Sequence, residues 1–168
     1  SVWNGVVNYG YDIPSGVLSG KIDTKYRLDF ESHIDVLQKK LKENYMLSFI
    51  RGLISHHFYK DNRTAINHFI KCLRLNPNVV EAQYYLVRLF GLVGDRRLQI
   101  DTCNRILSND PTQTKALAQL AKIHESAKDY FLAVKHFEQL LELEPENEEW
   151  LIKLASLFKI SSLTVGST

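Results

Sequence analysis

Three of the four prolines in this chain, Pro77, Pro111 and Pro145, follow one another at intervals of 34 residues, and a fixed period of that length leaves few architectures open. Proline has no N–H to donate inside a helix, so each one marks a place where a helix stops. Other residue types keep the same register. Asp61, Asp95 and Asp129 recur at the same interval, each directly after a Lys or Gly (Lys60, Gly94, Lys128). That pairing suits a chain leaving one helix and capping the next with a carboxylate. Leu73, Leu107 and Leu141 share one position, and Leu86, Leu120 and Leu154 share another. Apolar residues within each half-period are spaced by three and four, the signature of an amphipathic helix. Each period is therefore expected to form two antiparallel helices. One such pair cannot bury its own apolar face, so neighbouring units must share a core.

The pattern resembles the tetratricopeptide repeat family, whose 34-residue unit reads W-x2-L-G-x2-Y, then A-x3-F, then P. Residues 114–147 carry Leu117, Leu120, Ala121 and His124, then Ala133-x3-Phe137 and Pro145. Residues 46–79 carry Phe49, Gly52, Leu53 and His56, then Ala65-x3-Phe69 and Pro77. The middle unit, 80–113, keeps Leu86, Phe90 and Pro111 but has Gln83, Gln99 and Cys103 at the Trp, Ala and Phe positions. After Pro145, Leu151, Leu154, Ala155 and Phe158 begin a fourth unit that reads as a capping helix, 148–160. The resemblance implies an all-α fold, an α–α superhelix of three repeats plus that cap, over 46–160. Upstream, Tyr26, Phe30, Ile34, Leu37 and Leu41 trace a further helical stripe in an extra N-terminal segment, 23–45. The expected helices are 25–43, 46–59, 62–75, 80–93, 96–108, 114–127, 130–142 and 148–160. Residues 1–22 hold four glycines and Pro14 among aromatics and are expected to be irregular, and 161–168 to fray.

Composition narrows the partners. The 21 basic and 19 acidic side chains in 168 residues are interspersed, with no basic stripe of the kind that neutralises phosphates, so nucleic acid is not expected. No apolar run approaches the roughly 20 residues that span a bilayer. Two cysteines, Cys72 and Cys103, in a chain of this size fit a reducing compartment, giving a cytoplasmic expectation.

No catalytic constellation emerges. His56 and His124 share one repeat position, and His68 and His136 another, without Cys or carboxylate at ligand spacing. Packing explains them better than metal. Cys72 and Cys103 occupy interior positions of second helices and read as apolar fillers. Glu142, Glu144, Glu146, Glu148 and Glu149 straddle a helix junction, where carboxylates favour the start of the next helix. Neither phosphate-binding loop nor nucleophile elbow is present. The chain is expected to be no enzyme and to need no cofactor.

Function is then expected in the surface. In the resembled family the first helix of each unit lines a concave groove. By register those residues include Arg51, Ile54 and Phe58, then Tyr84, Tyr85 and Arg88, then Lys115, Gln119 and Lys122, and finally Lys153. Cations among aromatics suit an acidic peptide with apolar anchors. Co-chaperone members of the family grip a terminal carboxylate with a Lys and Asn set. Here only Lys115 matches it, and Ile54 and Tyr85 replace the asparagines, so such chaperone tails are not expected to bind. The expectation is a non-catalytic scaffold for a partner's peptide segment. The alternatives are a type III secretion-like chaperone, or the regulatory repeat region of a larger enzyme. Leu157 and Ile160 are expected on the outer side of the last helix, as an interface with a second copy or with further repeats.

Overall fold

The computed structural model describes residues 32, 34–40 and 43–165, with the backbone alone for 161–165. The expected irregular stretch 1–22, the start of the 25–43 helix and the last three residues lie outside that range. All regular structure among the described residues is helical. Besides the helical residues 34–40, it comprises α1 (Tyr45–His57), α2 (Asn62–Leu75), α3 (Val80–Val93), α4 (Arg96–Asn109), α5 (Thr114–Ser126), α6 (Tyr130–Leu143) and α7 (Glu148–Val165). The last helix continues past residue 160, where fraying was expected. Ser161 to Val165 contain neither Gly nor Pro, and the next helix breaker is Gly166.

Two of the periodic aspartates, Asp61 and Asp129, do the capping work expected of them. Asp61 accepts hydrogen bonds from the Thr64 backbone N–H at 3.0 Å and from its hydroxyl at 2.6 Å. Asp129 accepts from the Leu132 N–H at 3.3 Å. The residue before each aspartate takes the left-handed conformation, with φ 56° at Lys60, 80° at Gly94 and 60° at Lys128. One backbone geometry thus recurs at one register position, and only Gly94 adopts it without steric cost.

The helices form two compact units, one ending at Asp95 and the other beginning at Arg96. The division falls inside the second 34-residue period, within what the sequence suggested was a single repeat domain. In that period α4 carries Gln99, half-buried, at the position where α2 and α6 bury Ala65 and Ala133.

In the first unit, Phe49 and Leu53 of α1 pack with Ala65, Phe69 and Cys72 of α2 and with Ala82, Leu86 and Phe90 of α3. A second cluster joins Ile34 and Leu37 to Met46, Leu47, Ile50 and Ile54 on another side of α1. In the second unit, Leu117 and Ala121 of α5 meet Ala133, Phe137 and Leu140 of α6, with Trp150 and Leu157 of α7 completing the core. No helix among the described residues is long and apolar enough to cross a membrane.

Candidate functional site

The first-helix face expected to bind a partner is differently furnished in each place. On α1 it is already covered. Ile54 is 5% exposed beneath Ile34 and Leu37, and Phe58 is half-buried beside them. Arg51 is held by Asp35 through an ion pair and by Gln38, whose Oε1 accepts from its Nε at 2.9 Å. The 34–40 helix therefore occupies what register alone assigned to the groove, because Leu47, Ile50 and Ile54 form an apolar stripe that water would otherwise wet. Two clefts of about 280 Å³ flank Arg51 and His68, one also lined by Asp35, Ile54 and Tyr59, the other by Gln38, Glu43 and Lys71. Neither cleft was legible in the sequence, since both depend on where the 34–40 helix docks.

On α3 part of the face is exposed. Arg88 is exposed and makes no ion pair among the described residues. Tyr84 is half-buried, and Leu92 is 57% exposed. Tyr85 was expected beside Tyr84 but turns inward. Its ring stacks on Phe69 at 4.8 Å and 13°, and its hydroxyl lies 3.3 Å from His57 Nε2. Consecutive helical residues differ by about 100° around the axis, so neighbours cannot share one face. Desolvation raises the Tyr85 phenol's pKa.

In the second unit, Lys115 is exposed and Gln119 half-buried on α5. Lys122 lies 3.4 Å from Glu149 and 5.5 Å over the Trp150 ring, and Lys153 reaches both Glu125 oxygens at 3.0 and 3.1 Å. Of the five cations expected along the face, Arg51, Lys122 and Lys153 make ion pairs within the chain.

No family model matches the chain, and no curated protein matches it by sequence. Solved structures do match. The crystal structure of MamA superposes with a TM-score of 0.67 at 18% identity, covering 91% of this chain and 87% of that one. The first tetratricopeptide domain of Spaghetti (RPAP3), bound to the HSP90 peptide SRMEEVD, gives 0.58 at 18% identity, covering 70% and 95%. MamA residues 41 to the end from Desulfovibrio magneticus RS-1 give 0.64 at 16%, covering 78% and 73%.

The fold is that of the tetratricopeptide repeat.

Within the tetratricopeptide fold the position shared by His56 and His124 is interior, while His68 and His136 are half-buried. His56 and His124 are 8% and 9% exposed. His56 Nδ1 lies 2.9 Å from the Asn62 side-chain oxygen, and His124 stacks on His136 at 5.5 Å. Among the described residues, no group of three or more His, Cys, Asp or Glu stands where it could hold a metal ion. Cys72 and Cys103 are fully buried, and desolvation pushes both thiols up to about 12.

The last tetratricopeptide helix differs most from expectation. Leu157 is 1% exposed and belongs to the second unit's core, whereas Leu151, Ala155 and Phe158, expected to cover the third repeat, are exposed. Seven residues fall about 20° short of two helical turns, which puts Leu157 on the same stripe as Trp150 and Leu154. Leu151, Ala155 and Phe158 lie roughly 100° away, on a second stripe. Ile160, at 39% exposure, stays on the outside as expected, so the outer-face pair of Leu157 and Ile160 does not exist.

Proposed function

We propose that this chain is a non-catalytic protein-interaction scaffold that binds a peptide segment of a partner on the exposed part of the α3 face. Arg88 carries the reading: it is an exposed guanidinium without an ion-pair partner among the described residues, set among Tyr84 and Leu92 on α3. An acidic residue flanked by apolar anchors would match it, since a guanidinium binds carboxylate through two parallel hydrogen bonds. The RPAP3 domain of the same fold holds a peptide with two Glu and one Asp, which supports the acidic class. On α5, Lys115, Gln119 and Lys122 offer a second, weaker set, because Lys122 must first leave Glu149. Arg51 is held by Asp35 and Ile54 is buried, so α1 is not included. A chaperone tail gripped by its terminal carboxylate is also not the ligand proposed, because only Lys115 of that residue set is present.

Fluorescence polarisation with a labelled synthetic peptide rich in Asp and Glu and carrying Leu and Phe anchors tests the reading. Binding should weaken as salt rises, since exposed charge contacts are screened, and Arg88→Glu should weaken it more than Lys122→Glu. Binding indifferent to both substitutions would refute the assignment.

A further inference from the structure

Two first helices, α1 and α5, carry a stripe that packs against the second helix of the same repeat. On α1 it is Phe49, Leu53 and His56, buried against Ala65, Phe69 and Cys72 of α2; the His56 ring also bonds Asn62 of α2. On α5 it is Leu117, Ala121 and His124, buried against Ala133, Phe137 and Leu140 of α6. The same register on α3, Gln83, Val87 and Phe90, is buried too. On α7 the register falls on Leu151, Ala155 and Phe158. There Leu151 is 48% exposed, and Ala155 is exposed as well. The helix is nonetheless anchored, because its other stripe, with Trp150 and Leu157, is buried in the second unit's core.

We propose that the Leu151–Ala155 stripe of α7 docks an amphipathic helix from a partner protein, built like α2 and α6. That chemistry is a small residue, a Phe four positions on, and a compact apolar residue three further. The chain shows this solution twice. Ala65, Phe69 and Cys72 on α2, and Ala133, Phe137 and Leu140 on α6, are each 0% exposed against the matching stripe. The small residue lets the two helices approach, and the Phe fills the space between the turns of the first helix. A second copy of this chain is not the occupant. Among the described residues both helices of that pattern are spent inside their own units, so a copy could offer only its own α7 stripe, which lacks the Ala-x3-Phe spacing. None of these α7 residues belongs to the α3 or α5 sets above, so the two readings are tested separately.

The test uses the whole chain and a labelled peptide copying residues 129–144, held helical by one side-chain lactam on its polar face to reduce the cost of ordering. Saturable binding by fluorescence anisotropy is expected. Leu151→Glu with Ala155→Glu should weaken it roughly tenfold or more, because a charge would have to be buried without a partner. Phe137→Ala in the peptide should do the same while leaving the protein untouched. Three outcomes overturn the proposal. They are no saturable binding, binding unchanged by both alterations, or a dimer in light scattering that the Leu151/Ala155 variant converts to monomer.

Discussion

The Phe69 ring lies directly against the α-carbon of Gly52, so that a Cβ built on Gly52 would sit 2.8 Å from two ring carbons. Leu86 and Leu120 hold the equivalent position in the next two periods, so glycine here is required by close approach, not by backbone conformation. Phe69 is 0% exposed and meets Phe49 edge-on at 5.4 Å, leaving the ring little room to retreat. Gly52→Ala should therefore destabilise the protein by about 1–3 kcal/mol through overpacking. Urea unfolding measures this, and a double-mutant cycle with Phe69→Leu should recover part of the loss.

The three left-handed turn residues predict opposite signs for opposite substitutions. Lys60→Gly and Lys128→Gly relieve the steric cost of φ 56° and 60°, and each should stabilise by up to about 1 kcal/mol. Gly94→Ala should destabilise by a similar amount, about 1 kcal/mol, even though nothing lies within 4 Å of the added methyl. Thermal melts of the three variants check both directions.

Acid should weaken the fold through its histidines. Desolvation lowers the pKa of His57, His68 and His136 below the ordinary 6.5, with nearby cations adding to the effect. The unfolded chain then binds more protons than the folded one below pH 6.5, so stability rises with pH in that window. The contribution is fully present above 6.5 and is lost as pH falls through the lowered folded values. Urea midpoints across this range should decline toward acid, and His136→Gln should flatten the decline. An unchanged slope in that variant would remove His136 from the account.

Both cysteines should be silent in the native state. A thiol pushed up to about 12 by burial holds almost no thiolate at neutral pH, and the thiolate is the reactive form. Ellman's reagent should therefore label Cys72 and Cys103 only after denaturation. Labelling at the rate of a free thiol under native conditions would show that these helices open locally.

Much of the fold was legible because it is periodic. Pro77, Pro111 and Pro145 announced the repeat, and Asp61 and Asp129 announced the second-helix starts, since capping and helix termination act through neighbouring backbone groups alone. The burial of Phe49, Phe69, Phe137 and both cysteines followed from position within the repeat. What register could not resolve was which of two apolar stripes a helix turns inward. Leu157 and Leu151 are both leucines on one helix, yet only Leu157 is buried. The difference lies in whether another helix stands on that side, which no local property of either residue records.

The candidate site shows the same division. The repeat's arithmetic puts Arg51, Ile54 and Arg88 on first helices, and only the resemblance to the tetratricopeptide family implied that they face a groove. Register could not show that residues 34–40 lie on α1, burying Ile54 and engaging Arg51 through Asp35, while Arg88 on α3 stays exposed. Helix formation and capping depend on interactions within a few residues, so the sequence determined them by itself. Exposure and charge pairing depend on which distant segments pack together, and only the tertiary structure decided those.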